Sequence, residues 1–540
     1  MTTDNNRTET VIIGGGVAGI TAALELLDRG RKVVLLDRDK KENFGGQAIT
    51  AFGGITMVGT PIQKMMKVPD SPELAYQDWC DTAEFGPNDI LPRQWAKMYC
   101  ERSAKDIYGW LRSKGVSFLP SVQWPERGYY RPGNSVPRYH LVWGTGQGLT
   151  QALIDRLLGH ENRDKLDLRF NHRVQELISE GGRIVGCEGK TEDTGEDFSV
   201  RAENVVLASG GIGGNLERVR KLWPPEMGKA PDDLLVGTHP FCDGKGLDMA
   251  ERAGANITNL GYMWNYPEGV AHTDPRFNCQ GLRVIGPRSA LWMDPSGSRT
   301  GPEPLTDYYD TVFCVKRICA QDKQYSWHVM NWKIARKELA LSGSEHNRAI
   351  RDKSIPGLIK MVLFGSEGLV RQMVDECDDF VTAHSLPELV EKMNAITGTG
   401  DVKLENMERD IAKYDGQIER GEKFHNDDQL RRLAHSRRWQ ADKMRLCKFQ
   451  KILDPKAMPL IAVRYRIIVR KSLGGVQTDL ESRVMDKSGE RVPGLYAAGE
   501  AAGFGGGGIN GKSSLEGTFL SSAVFTGRIA ARSIAGEPEP

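Results

Sequence analysis

The residue types and spacing in Gly14-Gly15-Gly16-Val17-Ala18-Gly19 suit one task, holding a pyrophosphate. In such a turn the first glycine, Gly14, makes the bend. The second, Gly16, lets backbone approach phosphate oxygens, and the third, Gly19, lets helix and strand pack closely. A helix opening at Val17-Ala18 would aim free amides and a partial positive charge at the phosphates. Asp37 follows Gly14 by 23 residues, with Arg38 beside it; a carboxylate there accepts ribose hydroxyls. The fingerprint says dinucleotide but does not say which.

Three further glycine clusters narrow the choice. They are Gly45-Gly46-Gln47-Ala48 through Phe52-Gly53-Gly54, Ala208-Ser209-Gly210 through Gly214, and Gly494 through Gly499-Glu500 to Gly517. Glycine lets a main chain come close to a ligand. Four separated approaches imply an extended ligand threaded through a domain, which fits FAD, with adenosine at one end and isoalloxazine at the other.

The elements that must position these groups are legible in outline. Thr10 to Ile13 reads as a buried parallel strand, Val17 to Asp28 as a helix with Ile20, Leu24 and Leu27 on its apolar side, and Lys32 to Leu36 as the next strand. Leu74 to Lys114 is helix-rich. Leu166 to Val174, Gly182 to Glu188 and Asp197 to Ala202 read as an antiparallel meander, and Asn204 to Ala208 as a return strand. From Gly261 the periodicity becomes irregular and aromatics rise, with charged helices over Ser366 to Ala395 and Lys403 to Arg420. Leu460 to Val469 and Gly494 to Ala497 regain the character of the first part. The expected fold is α/β: a Rossmann-like FAD-binding domain over 1–260 and 451–540, with an inserted α+β cap or substrate domain over 261–450.

Composition excludes more than it assigns. Among 540 residues the formal net charge is +1, which gives no argument for nucleic acid or an acidic membrane as partner. Nine scattered cysteines without a Cys-x-x-Cys pair argue against a disulfide framework, a zinc site or an iron–sulfur cluster, and no metal is expected. The polar stretch Met1 to Thr10 has no apolar core of a secretory signal, and no segment approaches the ~20 apolar residues of a spanning helix. A cytoplasmic protein is the expectation.

Taken together these motifs resemble the FAD-dependent oxidoreductase 2 family, which comprises the flavoproteins of succinate dehydrogenase and fumarate reductase and 3-ketosteroid Δ1-dehydrogenase. The resemblance is carried by Gly45 to Gly54, Ser209 to Gly213, Asp243-Gly244-Lys245-Gly246 through Ala253-Gly254-Ala255, Gly474-Gly475, and Pro493 to Glu500. Three phrases are similar to the subgroup of FAD-binding dehydrogenases near the ketosteroid branch: Gly133 to Arg138, Trp143 to Gly146, and Gly503 to Gly508. The resemblance implies a glutathione-reductase-type nucleotide domain. It implies that Glu500 accepts ribityl hydroxyls, that Ser513, Ser514 and Leu515 meet the flavin pyrimidine edge, and that Val174 offers backbone groups to adenine. Gln47 stands where succinate dehydrogenases attach flavin through histidine, so noncovalent FAD is implied.

Departures from the family pattern point away from dicarboxylates. Tyr266-Pro267 replaces a His-Pro pair, Asp307 falls near the position of a catalytic arginine, Lys471 replaces a histidine, and Ser514 replaces a carboxylate-clamping arginine. The ketosteroid branch removes a proton α to a carbonyl with tyrosines while hydride passes to flavin. By that likeness the candidates are Tyr266, Tyr130, Tyr129, Lys471 and Tyr308. The implied activity is desaturation of an apolar, steroid-like ketone, with an external acceptor such as a quinone. Reduction of an enone or fumarate in the reverse direction, and an FAD-binding partner protein without turnover, stay open as alternatives.

Overall fold

The computed structural model describes residues 7–537; the first six residues of the polar N-terminal stretch lie outside them. The opening βαβ unit forms as its pattern dictates. Arg7–Ile13 and Val33–Leu36 pair in parallel, joined by the helix Val17–Asp28. Val11, Ile12 and Val33 to Leu36 are buried on both faces, which explains a run without alternation. Asp197–Leu207 and Arg491–Ala497 extend the sheet in parallel on one side, and Leu166–Arg169 on the other. The meander His172–Glu180, Arg183–Thr191 hangs from the first half of Asp197–Leu207, whose second half is the expected return strand. The segment expected as one strand over Leu166 to Val174 is two, because Asn171 takes a left-handed φ of 57° and breaks the run, after which the chain pairs with Arg183–Thr191. The C-terminal helix Thr518–Ile534 lies against the first helix, and Arg528 reaches the buried Glu25 at 2.7 Å.

A second mixed sheet runs Leu291–Met293, Tyr325–Asn331, Leu460–Ser472, Met263–Ala271, Gly281–Ile285, Ala340–Leu341. Its central strand corrects the expected layout. Leu460 to Val469 is expected with the nucleotide domain, yet the strand there, Leu460–Ser472, pairs along its length with Tyr325–Asn331, Phe380–Ala383 and Met263–Ala271. The chain rejoins the first layer only after Ser472. Leu235–Val236 also pairs with this strand, before the expected boundary at 261. The stretch Ser366 to Ala395 is likewise broken, into Glu367–Glu376, the strand Phe380–Ala383 and Leu386–Thr397.

Two of the phrases that carry the resemblance have structural roles. Within Gly133 to Arg138, Arg138 is 1% exposed and binds Asp70 at 2.9 Å and Asp78 at 2.5 Å, while the Ser135 hydroxyl donates to Asp78. In Gly503 to Gly508, a Cβ on Gly506 would meet the Trp95 ring, so the glycine run admits a core tryptophan. Among the described residues no helix is long and apolar enough to cross a membrane.

Candidate active site

A cavity of about 510 Å³ lies between the two sheets. Gly14, Gly16, Val17 and Ala18 line it from the first turn, with Asp37 and Arg38 from the end of the second strand. Gly14 has φ +111°, and a Cβ there would sit 2.4 Å from the Ala208 carbonyl oxygen. Gly19 does not line the cavity; a Cβ on it would meet the Gly14 carbonyl at 2.0 Å, the close helix–strand approach its position demands. Asp37 accepts the amides of Gly15 and Asp39, each at 2.7 Å, and burial pushes its carboxyl above the usual range. Arg38 pairs with Asp243 at 3.0 Å and with Glu192 at 2.6 Å.

The other clusters converge on the same space. Gly45, Gly46, Gln47 and Ala48 line it, as do Phe52, Gly53 and Gly54. From the remaining segments come Val174, Ala208, Ser209, Gly210, Asp243, and the pair Gly499-Glu500. Burial raises the Glu500 carboxyl to about 7, although the Ser472 amide donates to it at 2.8 Å. A dinucleotide with an isoalloxazine fits this lining. Gly16 has open space on its Cβ side, and Gln47 Nε2 and Ser209 Oγ are buried without a hydrogen-bond partner. Ser513, Ser514 and Leu515, expected at the flavin edge, are buried behind the wall. Ser514 Oγ is taken by Asn510 at 2.6 Å and Thr518 at 2.9 Å. Glu516 and Gly517 line the cavity instead.

The second sheet contributes a cluster of ionisable groups. Tyr266 and Lys471 stand on neighbouring strands and both line the cavity, with Arg283 on the next strand and Arg470 beside Lys471. A register shift between Trp264 and Tyr266 bends the first of these strands. The Tyr266 hydroxyl donates to Glu516 at 2.9 Å, and Lys471 Nζ lies 3.3 Å from that hydroxyl. Trp264 Nε1 donates to the same carboxylate at 3.1 Å, and Arg283 approaches it at 3.5 Å. The Arg283 guanidinium also stacks 3.6 Å above the Tyr266 ring. Glu516 is held from below: Thr56 Oγ1 donates to its carbonyl at 2.6 Å.

Burial sets the protonation states. It pulls the Lys471 amine down to about 7, with Arg470 and Arg283 adding repulsion and Glu516 opposing. It pushes the Tyr266 phenol well above its ordinary value, and Glu516 pushes the same way. Burial also weighs against the charged Arg283, but Tyr266, Glu268 and Glu516 outweigh it and hold the guanidinium protonated. The result is a protonated phenol between a carboxylate and an amine that titrates near neutrality, a set built to move a proton.

The other expected catalytic phenols lie elsewhere. Tyr130 is 75% exposed. Tyr129 stacks on Phe313 and its hydroxyl is bound by the backbone of Pro304 and Thr306; the hydrophobic faces of both rings satisfy loop packing rather than the cavity. Tyr308 is buried with a left-handed φ of 70°, ringed by Arg283, Arg288 and Arg445, and does not line the cavity. Tyr139 and Glu516 are among the lining groups that the sequence reading does not name. Tyr139 is clasped between Gly54 and Gly517, whose missing side chains leave room for its ring. Glu516 sits two residues past Ser514 inside the glycine-rich stretch, and an acid there was the available signal.

A parallel sheet whose glycine turns open onto a cleft, closed by a second sheet bearing a proton-active cluster, is the layout of a two-layer flavoprotein. The family model described as an FAD binding domain matches residues 9–520, and the chain belongs to that family. It is an FAD-dependent oxidoreductase. It is 40% identical to the KsdD-like steroid dehydrogenase of Mycolicibacterium smegmatis over 95% of this chain and 96% of that protein. It is 26% identical to the fumarate reductase (cytochrome) of Shewanella frigidimarina, over 97% of this chain and 76% of that protein. Its fold is similar to that of 3-ketosteroid Δ1-dehydrogenase from Sterolibacterium denitrificans, solved with 1,4-androstadiene-3,17-dione. The TM-score is 0.70 at 15% identity, covering 98% of this chain and 100% of that one.

Proposed function

We propose that this FAD-dependent oxidoreductase, of the class acting on CH–CH donors, desaturates an apolar, steroid-like ketone next to its carbonyl. The carrying observation is the Tyr266 hydroxyl held at 2.9 Å from Glu516 and 3.3 Å from Lys471 on the cavity wall. Bound FAD supplies the hydride acceptor, cradled by the glycine turns from Gly14 to Gly54 and by Gly499-Glu500. Tyr266 takes the proton from the α-carbon while its own phenolic proton passes to Glu516. Lys471 beside the phenolic oxygen and Arg283 over the ring stabilise the negative charge that develops there. In this reading Tyr266 is the proton acceptor, Lys471 acts as its electrostatic partner rather than as the proton carrier, and Glu516 joins them. An external acceptor such as a quinone takes the electrons onward. The steroid dehydrogenase at 40% identity supports the substrate class.

The cofactor is proposed to be held without a covalent bond. Gln47 stands in the cavity with its Oε1 bound by Thr238, and a carboxamide has no nucleophile comparable to an imidazole. A second reading, reduction of an enone or fumarate by the same residues run backwards, is favoured by the cations Arg283, Arg470 and Lys471 on the wall. Anaerobic mixing separates the two. Bleaching of the flavin band at ~450 nm by saturated ketones, and not reoxidation by fumarate, is the expected outcome. No bleaching by any ketone in a panel of steroids, with reoxidation by fumarate, would overturn it.

A further inference from the structure

Among the described residues the helix Ile355–Phe364 is unlike every other helix of its length, because none of its ten residues is buried. It is nonetheless a well-made helix. Ser354 caps it by accepting the Gly357 amide at 3.1 Å, and Gly365 closes it at φ +78°. Its sequence, Ile-Pro-Gly-Leu-Ile-Lys-Met-Val-Leu-Phe, carries one charge. Ile355 is 64% exposed, Ile359 54%, Leu363 68% and Phe364 67%, with Val362 at 43%. Large exposed apolar residues elsewhere among the described residues stand singly; here five fall within ten positions. Isolated exposed leucines need no explanation, but a contiguous patch of a few hundred Å² marks an interaction site.

We infer that this helix docks the protein on the surface of an anionic lipid bilayer, its apolar side chains entering the acyl boundary and the cations around it meeting headgroups. Length decides against two other uses. Ten residues are too few to span a membrane, and an apolar helix this short is ordinarily either core or interfacial. With none of its residues buried and Ile355, Ile359, Val362, Leu363 and Phe364 exposed, the helix is not a core element. Charge decides the kind of surface. Arg348, Arg351, Lys353 and Lys360 stand against Asp352 alone between 348 and 365, a net +3, in a chain whose total is +1. Lys353 and Lys360 are exposed, and Arg336 flanks the far end, its carbonyl accepting the Ser366 amide at 2.7 Å. Apolar side chains ringed by basic ones form the pattern of an interfacial anchor. A second copy of the chain is a weaker fit, since pairing this face with its own copy would bring two net +3 segments together.

The helix is also tied to the cavity wall. Ser342 lines the cavity, and two residues on Ser344 is fixed by the Thr50 carbonyl at 3.1 Å and the Thr145 hydroxyl at 2.6 Å. Asn347 then clamps the carbonyls of Leu341 and Gly343, at 2.7 and 2.6 Å, ahead of the helix. A bilayer under this helix would lie close to the catalytic cleft, where an apolar donor or acceptor dissolved in lipid is already concentrated. Docking itself stands independently of which ketone is oxidised.

Co-sedimentation of the FAD-loaded protein with vesicles tests the inference. The wild type is expected to pellet with phosphatidylcholine vesicles containing one-third phosphatidylglycerol, and far less with phosphatidylcholine alone. The double variant Leu363→Glu/Phe364→Glu should lose at least tenfold in partition while keeping its flavin spectrum and turnover of a soluble donor, because neither residue touches the cavity. Lys353→Gln and Lys360→Gln should each weaken binding to the anionic vesicles by about fivefold at low salt. A wild type that stays in the supernatant with both vesicle types overturns the inference without reference to any variant. So does a double variant that pellets like the wild type, or a wild-type dimer in sedimentation equilibrium that the double variant dissociates.

Discussion

Lys471→Met isolates the contribution of one charge to the proposed proton transfer. In the structure Lys471 Nζ is 3.3 Å from the Tyr266 hydroxyl oxygen. Between full unit charges at that distance, an effective dielectric of about 20 gives roughly 5 kcal/mol. A phenolate half-formed in the transition state feels about half of that, so removing the ammonium should lower kcat/KM by on the order of 10². The charge is available only while the amine is protonated, and burial holds that amine at about 7. The stabilisation is therefore fully present below pH 7 and lost as pH rises above it. Wild-type kcat/KM should fall about tenfold by roughly pH 8 and go on falling towards about pH 9, where it approaches the hundredfold lower value of the Met variant. Lys471→Arg keeps a cation at all these pH values and should flatten the profile. Anaerobic stopped-flow reduction of the bound flavin, from pH 6 to 9, reads all three proteins. A wild-type rate that rises through pH 7, with an inactive Arg variant, would refute this reasoning and make the neutral amine itself the base. A Met variant within threefold of wild type would remove Lys471 from the chemistry.

Four other outcomes follow from the geometry. Tyr266→Phe and Glu516→Gln should each retain FAD and lose 10²–10⁴ in the rate of flavin reduction; unaltered single-turnover rates would exclude the phenol–carboxylate relay. Gly14→Ala places a Cβ 2.4 Å from the Ala208 oxygen in a backbone conformation at φ +111°, so the variant should purify without yellow colour, read as the 450 to 280 nm absorbance ratio. If Gln47 leaves the flavin unattached, acid precipitation should release all yellow colour into the supernatant, and colour retained in the pellet would contradict it. His140 is buried and held neutral, its imidazole lowered to about 4 by burial, with its ring nitrogens bound to Thr60 and the Arg138 carbonyl. The unfolded chain takes up a proton from pH 6.5 downward and the folded chain does not until about 4. Stability should therefore be full above pH 6.5 and drop by roughly 3 kcal/mol between there and pH 4. His140→Gln should show that much less acid sensitivity in urea titrations.

The nucleotide half was legible because glycine and apolar runs report local backbone needs. Gly14, Gly16 and Gly19 name a turn, and Val33 to Leu36 without alternation names a strand covered on both faces. The strand Leu460–Ser472 was misplaced for the same reason. Its apolar, β-branched run records burial on both faces but carries nothing about which sheet provides it. The set proposed for catalysis was half legible. Tyr266 and Lys471 were found through the family pattern, whereas Tyr129 and Tyr130 shared the right residue type in a loop that packs against Phe313. Glu516 was hidden because its meaning arises only when Trp264, Tyr266 and Arg283, some 230–250 positions earlier, fold against it.

The long strand Leu460–Ser472 has one more effect. Its end carries Lys471 to the cavity wall and, one residue on, binds Glu500 of the nucleotide layer through the Ser472 amide. Tyr266 and Arg283 ride on the same sheet, while their acid, Glu516, belongs to the other layer. Any parting of the two layers to admit a bulky donor would thus pull the phenol, the amine and the guanidinium away from the carboxylate in a single stroke. The enzyme would be chemically disarmed whenever it is open to solvent, and armed only by the act of closing on its substrate.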